Sequence, residues 1–222
     1  MSTQHMTMVR ELSLPFEITT FVGRQRELSA LEALVDAERL VTVTGPGGVG
    51  KTRLALRAAA EAAEGFADGV CLVELSGLHD AELLTATIGT ALGLFNAGLS
   101  ESGSHNRLDE VTDFLRNRDL LLVLDTCEHL VDACAMFADV LLRSTASVTV
   151  LATSRQPLDV PGEHVFTVAP LGTSDAVELF AQRAATVTGG FQVTPENRAC
   201  VEMLCERLDG VPLALELATV RL

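Results

Sequence analysis

Lys51 is the only lysine among the sixteen basic residues of this chain. It sits in the stretch TGPGGVGKT, residues 44–52, which carries two phosphate-binding patterns at once. Gly45-x-Gly47-x-x-Gly50 fits a dinucleotide turn, and Gly45-x-x-x-x-Gly50-Lys51-Thr52 fits a P-loop. The dinucleotide reading wants a carboxylate about 20 residues on, at the end of the second strand, to hold a ribose; Glu74 stands there. It leaves four residues without roles: Lys51, Thr52, Asp125 and Arg155. The P-loop reading uses all four. The N–H groups of residues 47–52, Val49 among them, would form a nest around a β-phosphate at a helix N-terminus, with Arg53 just behind. Gly47, Gly48 and Gly50 let the backbone approach closely. An ammonium is a compact charge that reaches between phosphate oxygens, so Lys51 is assigned to the β- and γ-phosphates. Thr52 and Asp125 are the expected Mg²⁺ holders, and Arg155 is placed to meet a γ-phosphate.

These residues need a strand before the glycines and a helix after them. RLVTVTG, residues 39–45, is a β-branched run ending in glycine, and GKTRLALRAAAEAAEG, residues 50–65, reads as a helix. Further apolar strands are expected at 69–75, 120–126, 147–154 and 164–168, alternating with helical patterns. Asp125 and Arg155 fall at or just past the ends of two of these strands. The alternation predicts an α/β P-loop NTPase fold, a parallel five-stranded sheet flanked by helices. Beyond it the strands stop and a small helical domain begins. The expected division is a lead at 1–13, a nucleotide-binding α/β domain at 14–187, and the start of a helical, lid-like subdomain at 188–222. Residues 94–106 read as a polar loop.

Bulk composition narrows the function class. The net charge of −14 opposes contact with a polyanion, so direct DNA binding by this chain is not expected. The five cysteines include no C-x-x-C pair and read as free, mostly buried thiols in a reducing compartment. No apolar run approaches a membrane span, and the first fifteen residues show no secretory pattern, so a cytoplasmic location is expected.

Five blocks extend the reading: TTFVGRQREL, VTVTGPGGVGKTRLAL, LLLVLDTCEHL, VLATSRQPLDVPGE and LDGVPLALELA. In this order they resemble the nucleotide-binding module of STAND-type signal-transduction ATPases of the NB-ARC kind, as found in bacterial transcriptional regulators of the SARP and LuxR types. The resemblance implies ATP and ADP as ligands, with Mg²⁺, and a regulatory switch with slow hydrolysis as the function. It implies that Val22, Gly23 and Arg24 pack near adenine, that Arg155 is the first sensor arginine, and that Pro212 contacts the adenine side. It also implies partner domains or proteins of a regulatory system, and leaves nucleotide-dependent oligomerisation open. In the family the module continues into a winged-helix region, often repeats, with a DNA-binding domain at one terminus. The 222 residues are read as the switch module alone, whether cut from such a protein or naturally short.

One position departs from the family pattern. Relatives carry a second Asp or an Asn after the strand-end aspartate; here it is Thr126, which cannot serve as a carboxylate base. Glu128 is the candidate substitute, so the catalytic set is Lys51, Asp125, Arg155 and Glu128. The other reading of Glu128 is a carboxylate that merely opens the next helix. A vigorous P-loop ATPase, a small-molecule kinase and a purely structural nucleotide-holding module are the rival functions.

Overall fold

The computed structural model describes residues 14–15, 18–95 and 104–221. The lead expected at 1–13 and most of the polar loop after residue 95 lie outside them. Five strands alternate with helices: β1 Leu40–Thr44, β2 Val70–Glu74, β3 Leu121–Asp125, β4 Thr149–Thr153 and β5 His164–Thr167. The helices are α1 Gln25–Ala37, α2 Lys51–Ala62, α3 Leu84–Ala91, α4 Ser104–Leu115, α5 Val131–Ser144, α6 Thr173–Thr188, α7 Arg198–Arg207 and α8 Pro212–Thr219.

All pairings are parallel, and the spatial order is β2-β3-β4-β1-β5. Every residue of β1, β3 and β4 is buried, because helices cover both faces and the strand sequences are apolar on both. The two-residue strand period divides them. Val41, Val43, Leu121, Val123 and Leu151 join α1 and α2 in one core cluster. Leu40, Leu122, Leu124, Val150 and Ala152 join α3, α4 and α5 in another.

A third cluster unites α6, α7 and α8 through Val177, Phe180, Ala184, Val201, Cys205 and Leu215, and Val22 belongs to it. Residue 187, where the sequence suggested the helical part begins, lies in the last turn of α6, inside this packed unit. α6 begins at Thr173 with no side-chain cap. Thr194 and Pro195 form a turn before α7, where the Asn197 side chain accepts the Thr194 N–H at 2.8 Å. Among the described residues, no helix is long and apolar enough to cross a membrane.

Candidate functional site

The loop after β1 climbs from Gly45 to Gly50 and enters α2 at Lys51. Gly50 is the N-cap, left-handed at φ 96°, and no side chain caps the helix. Its first-turn N–H groups therefore open onto the cleft as an anion-binding end. Lys51 is 8 % exposed, and its ammonium donates to the carbonyls of Gly45 (3.0 Å) and Pro46 (3.2 Å). Burial lowers its pKa, while Glu128 and Asp125 nearby favour the charged form.

Asp125 ends β3, 7 % exposed. Its Oδ1 accepts from the Thr52 hydroxyl at 2.6 Å and from the Thr153 hydroxyl at 2.7 Å. Its Oδ2 accepts from the Thr126 hydroxyl at 3.1 Å. Thr153 Oγ1 also accepts the Thr126 N–H at 2.8 Å. The strand order explains why these meet: β4 lies between β1 and β3, so Thr153 stands between Asp125 and the loop after β1. Thr153 was not singled out in the sequence. Its only signal is its place at the end of a buried strand, two residues before Arg155.

Arg155 and Glu128 stand at the rim. Arg155 Nε lies 3.3 Å from Glu128 Oε1, with the arginine side chain 67 % exposed and the glutamate 23 %. The other end of the guanidinium covers Gly47; a Cβ there would lie 3.5 Å from an Arg155 terminal nitrogen. Glu128 sits in a short 3-10 turn, Cys127–His129, not in α5 itself.

The opposite wall is built by the N-terminal segment and the helical unit. A cleft of about 820 Å³ runs from Glu128 and Arg155 past Lys51 and Thr52 to Leu14, Ile18, Pro212 and Leu213. A smaller hollow beside it is lined by Val22, Arg24, Val49, Gly50, Arg53 and Pro212. Val49 is fully buried in the core, so it can offer a ligand only its backbone. Arg53 donates to the Thr19 carbonyl and lies over the Phe21 ring. Arg183 of α6 bonds Thr20 O (3.2 Å) and Glu216 of α8 (2.9 Å), tying this segment to the helical unit. Neither Arg183 nor Glu216 carried a sequence signal.

Gly23 and Arg24 stand where the N-terminal segment meets α6 and the loop after β1, and Arg24 lines the smaller hollow. Both have positive φ, 66° and 62°. A Cβ on Gly23 would meet the Asp175 carboxylate at 2.3 Å. Arg24 is 6 % exposed and donates to Val49 O (2.8 Å) and Ala169 O (2.9 Å). It thus pins the phosphate loop to the segment after β5; burial lowers its pKa. α8 touches the loop directly as well. The Leu213 N–H donates to Gly48 O at 3.2 Å, and a Cβ on Gly48, at φ 75°, would lie 2.8 Å from Leu213 Cβ.

Glu74 is on β2, the edge strand, with β3 and β4 between it and β1. A dinucleotide fold puts the ribose carboxylate on the strand beside the glycine turn. The strand order therefore rules out that role for Glu74.

Comparisons with known proteins agree with the geometry. The NB-ARC domain family matches residues 26–188. An uncharacterized protein of Mycobacterium tuberculosis is 42% identical over 206 residues, which cover 92% of this chain and 51% of that protein. A putative HTH-type transcriptional regulator of the same species is 43% identical over 86% of this chain and 21% of its own length. The regulatory protein AfsR of Streptomyces griseus is 30% identical over 96% of this chain and 22% of its own. The chain thus spans about half, or about a fifth, of these relatives. Among solved structures, a STAND protein with a tetratricopeptide repeat sensor from Pyrococcus horikoshii superposes with TM-score 0.64 at 21% identity, over 95% of this chain and 31% of that one. Cdc6p from Pyrobaculum aerophilum gives 0.60 at 16% identity, over 94% and 62%.

Proposed function

This chain belongs to the NB-ARC domain family, and from that premise we propose that it binds ATP and ADP as a regulatory switch with slow turnover. The carrying observation is that Lys51 and Thr52 line one cleft and that Asp125, at the carboxyl end of β3, accepts from the Thr52 hydroxyl at 2.6 Å. The donor set fits its ligand. The uncapped N-terminus of α2 suits a phosphate, and an ammonium held by the loop carbonyls of Gly45 and Pro46 can transfer to phosphate oxygens. The Thr52 hydroxyl and the Asp125 carboxylate are hard oxygen ligands already in contact, and they would hold Mg²⁺. Bound there, the ion would supply charge neutralisation at the phosphates.

The chain's own residues then divide the work. Lys51 binds, Arg155 senses the terminal phosphate from the rim, and Val22, Arg53 and Pro212 frame the base side. Thr126 offers no carboxylate, which supports slow turnover; a positioned general base contributes roughly 10²–10⁴ in rate. Glu128 lines the cleft and is the group that favours the second reading, an active ATPase. The relatives described as transcriptional regulators support a regulatory setting, in which partner domains would read the nucleotide state, and a cytoplasmic location.

Lys51→Ala tests the assignment. Calorimetric titration with Mg·ATP should show binding by the wild type and at least a tenfold loss in the variant, with the thermal melt unchanged in shape. Equal affinity would remove the P-loop assignment. A wild-type turnover near the ~10 s⁻¹ typical of enzymes would favour the ATPase reading over the switch.

A further inference from the structure

Arg155 faces two ways. Its Nε edge lies 3.3 Å from Glu128, and its terminal nitrogen hangs over Gly47 of the phosphate loop. The contact with Glu128 is long, and the arginine is mostly exposed. Such pairs contribute little, because solvent screens the charges and both side chains lose freedom. The turn that carries Glu128 is held better. It is the 3-10 turn that follows Asp125, it is anchored by the Thr126 N–H on Thr153, and His129 Nε2 lies 2.7 Å from Leu78 O. A carboxylate carried on an anchored turn therefore holds a loose guanidinium beside the place where a third phosphate would stand.

We propose that Glu128 competes with the γ-phosphate for Arg155 and thereby sets how strongly this chain prefers ATP over ADP. The inference rests on the nucleotide-site reading above. With a diphosphate bound, nothing draws Arg155 from Glu128. A terminal phosphate offers more acceptor oxygens and more charge in a less exposed place, so the guanidinium changes partner. Glu128 acts here as a specificity residue through Arg155, without touching the reacting atoms. Because the pair being broken is weak, the preference is tempered rather than abolished. An opposing contribution of up to about 1 kcal/mol corresponds to about fivefold in an affinity ratio.

The test is the ratio of affinities for ADP and a non-hydrolysable ATP analogue, each with Mg²⁺, measured by calorimetry on the 222-residue chain. Glu128→Gln should raise the preference for the triphosphate roughly two- to fivefold. Glu128→Asp keeps the charge but shortens the reach, and should raise it as well. In an Arg155→Ala background neither change should move the ratio. A rise with Glu128→Gln that is the same with and without Arg155 would mean simple charge repulsion and would overturn the proposal. So would an unchanged ratio with slower turnover, which would make Glu128 a base only. Thermal melts confirm that each variant is folded. Loss of binding in Lys51→Ala alongside an unmoved ratio would sink this inference while leaving the nucleotide site standing. Binding unaffected by Lys51→Ala would remove the site itself.

Discussion

At the scale of single residues, Thr126 is the position where sequence and backbone disagree. It is β-branched, yet it sits at φ 69° and ψ 58°. Left-handed backbone crowds a β-branched side chain, whereas Asn tolerates it. The conformation is kept because both ends of the residue are held: its N–H by Thr153 at 2.8 Å and its hydroxyl by Asp125 at 3.1 Å. Thr126→Asn should relieve the crowding and stabilise the fold by roughly 1 kcal/mol. A denaturant titration with an unchanged slope and a higher midpoint is the expected result; a lower midpoint would mean that the hydroxyl contact outweighs the strain. Thr153 teaches a complementary lesson. Its hydroxyl meets a carboxylate 28 positions away, and a lone threonine at a strand end gives no hint of that.

Among elements, the contact of α1 with α2 carries a charge conflict. Glu32 on α1 faces Glu61 on α2, and one Glu32 oxygen is buried without a hydrogen-bond partner. Burial first, then the neighbouring Glu61 and Asp36 carboxylates, raise the Glu32 pKa above the usual range, with Arg57 opposing. A raised carboxyl pKa means that the folded chain holds this proton more tightly than the unfolded chain does. Its contribution is therefore most favourable below the ordinary carboxyl pKa and is lost as pH climbs through the raised value. Glu32→Gln should raise the melting temperature at about pH 7.5, and the gain should shrink toward about pH 4. A gain that is equal at both pH values would disprove the linkage. The elements themselves were largely legible: apolar runs gave all five strands, and G-K-T gave the start of α2. Strand order was not, because a crossover says parallel but not which neighbour. That is why Glu74 could look like a ribose ligand until β2 proved to be the edge. The grouping of α6 with α7 and α8 was hidden for a similar reason, since its apolar face says that it is covered and not by what.

For the whole molecule, charge sets the behaviour toward polyanions. With sixteen basic residues against thirty acidic ones, the chain cannot gather the phosphate contacts that dominate non-specific duplex affinity. A gel shift with random duplex DNA at about 150 mM salt should show no complex from this chain. A clear shift would point to a local basic surface that outweighs the net charge. The cleft nonetheless gathers basic side chains, with Lys51, Arg53, Arg57 and Arg155 lining it together.

The strand order also sets a timetable. β1 comes first in the chain, but its two neighbours in the sheet are β4 and β5. The phosphate loop that it carries is fastened by Arg24 to Ala169 and closed from outside by Leu213. About a hundred residues must leave the ribosome after β1 before β4 exists, on the order of ten seconds at usual rates of synthesis. Through that interval the five residues of Leu40–Thr44 have no sheet to join, and the glycine loop has no floor. The signature that is written earliest is thus among the last parts to take shape. On the proposed nucleotide reading, the loop can take its ligand-ready shape only after β4, β5 and α8 have been made, so a nucleotide would stabilise a late state of this module rather than act as an early template for its folding.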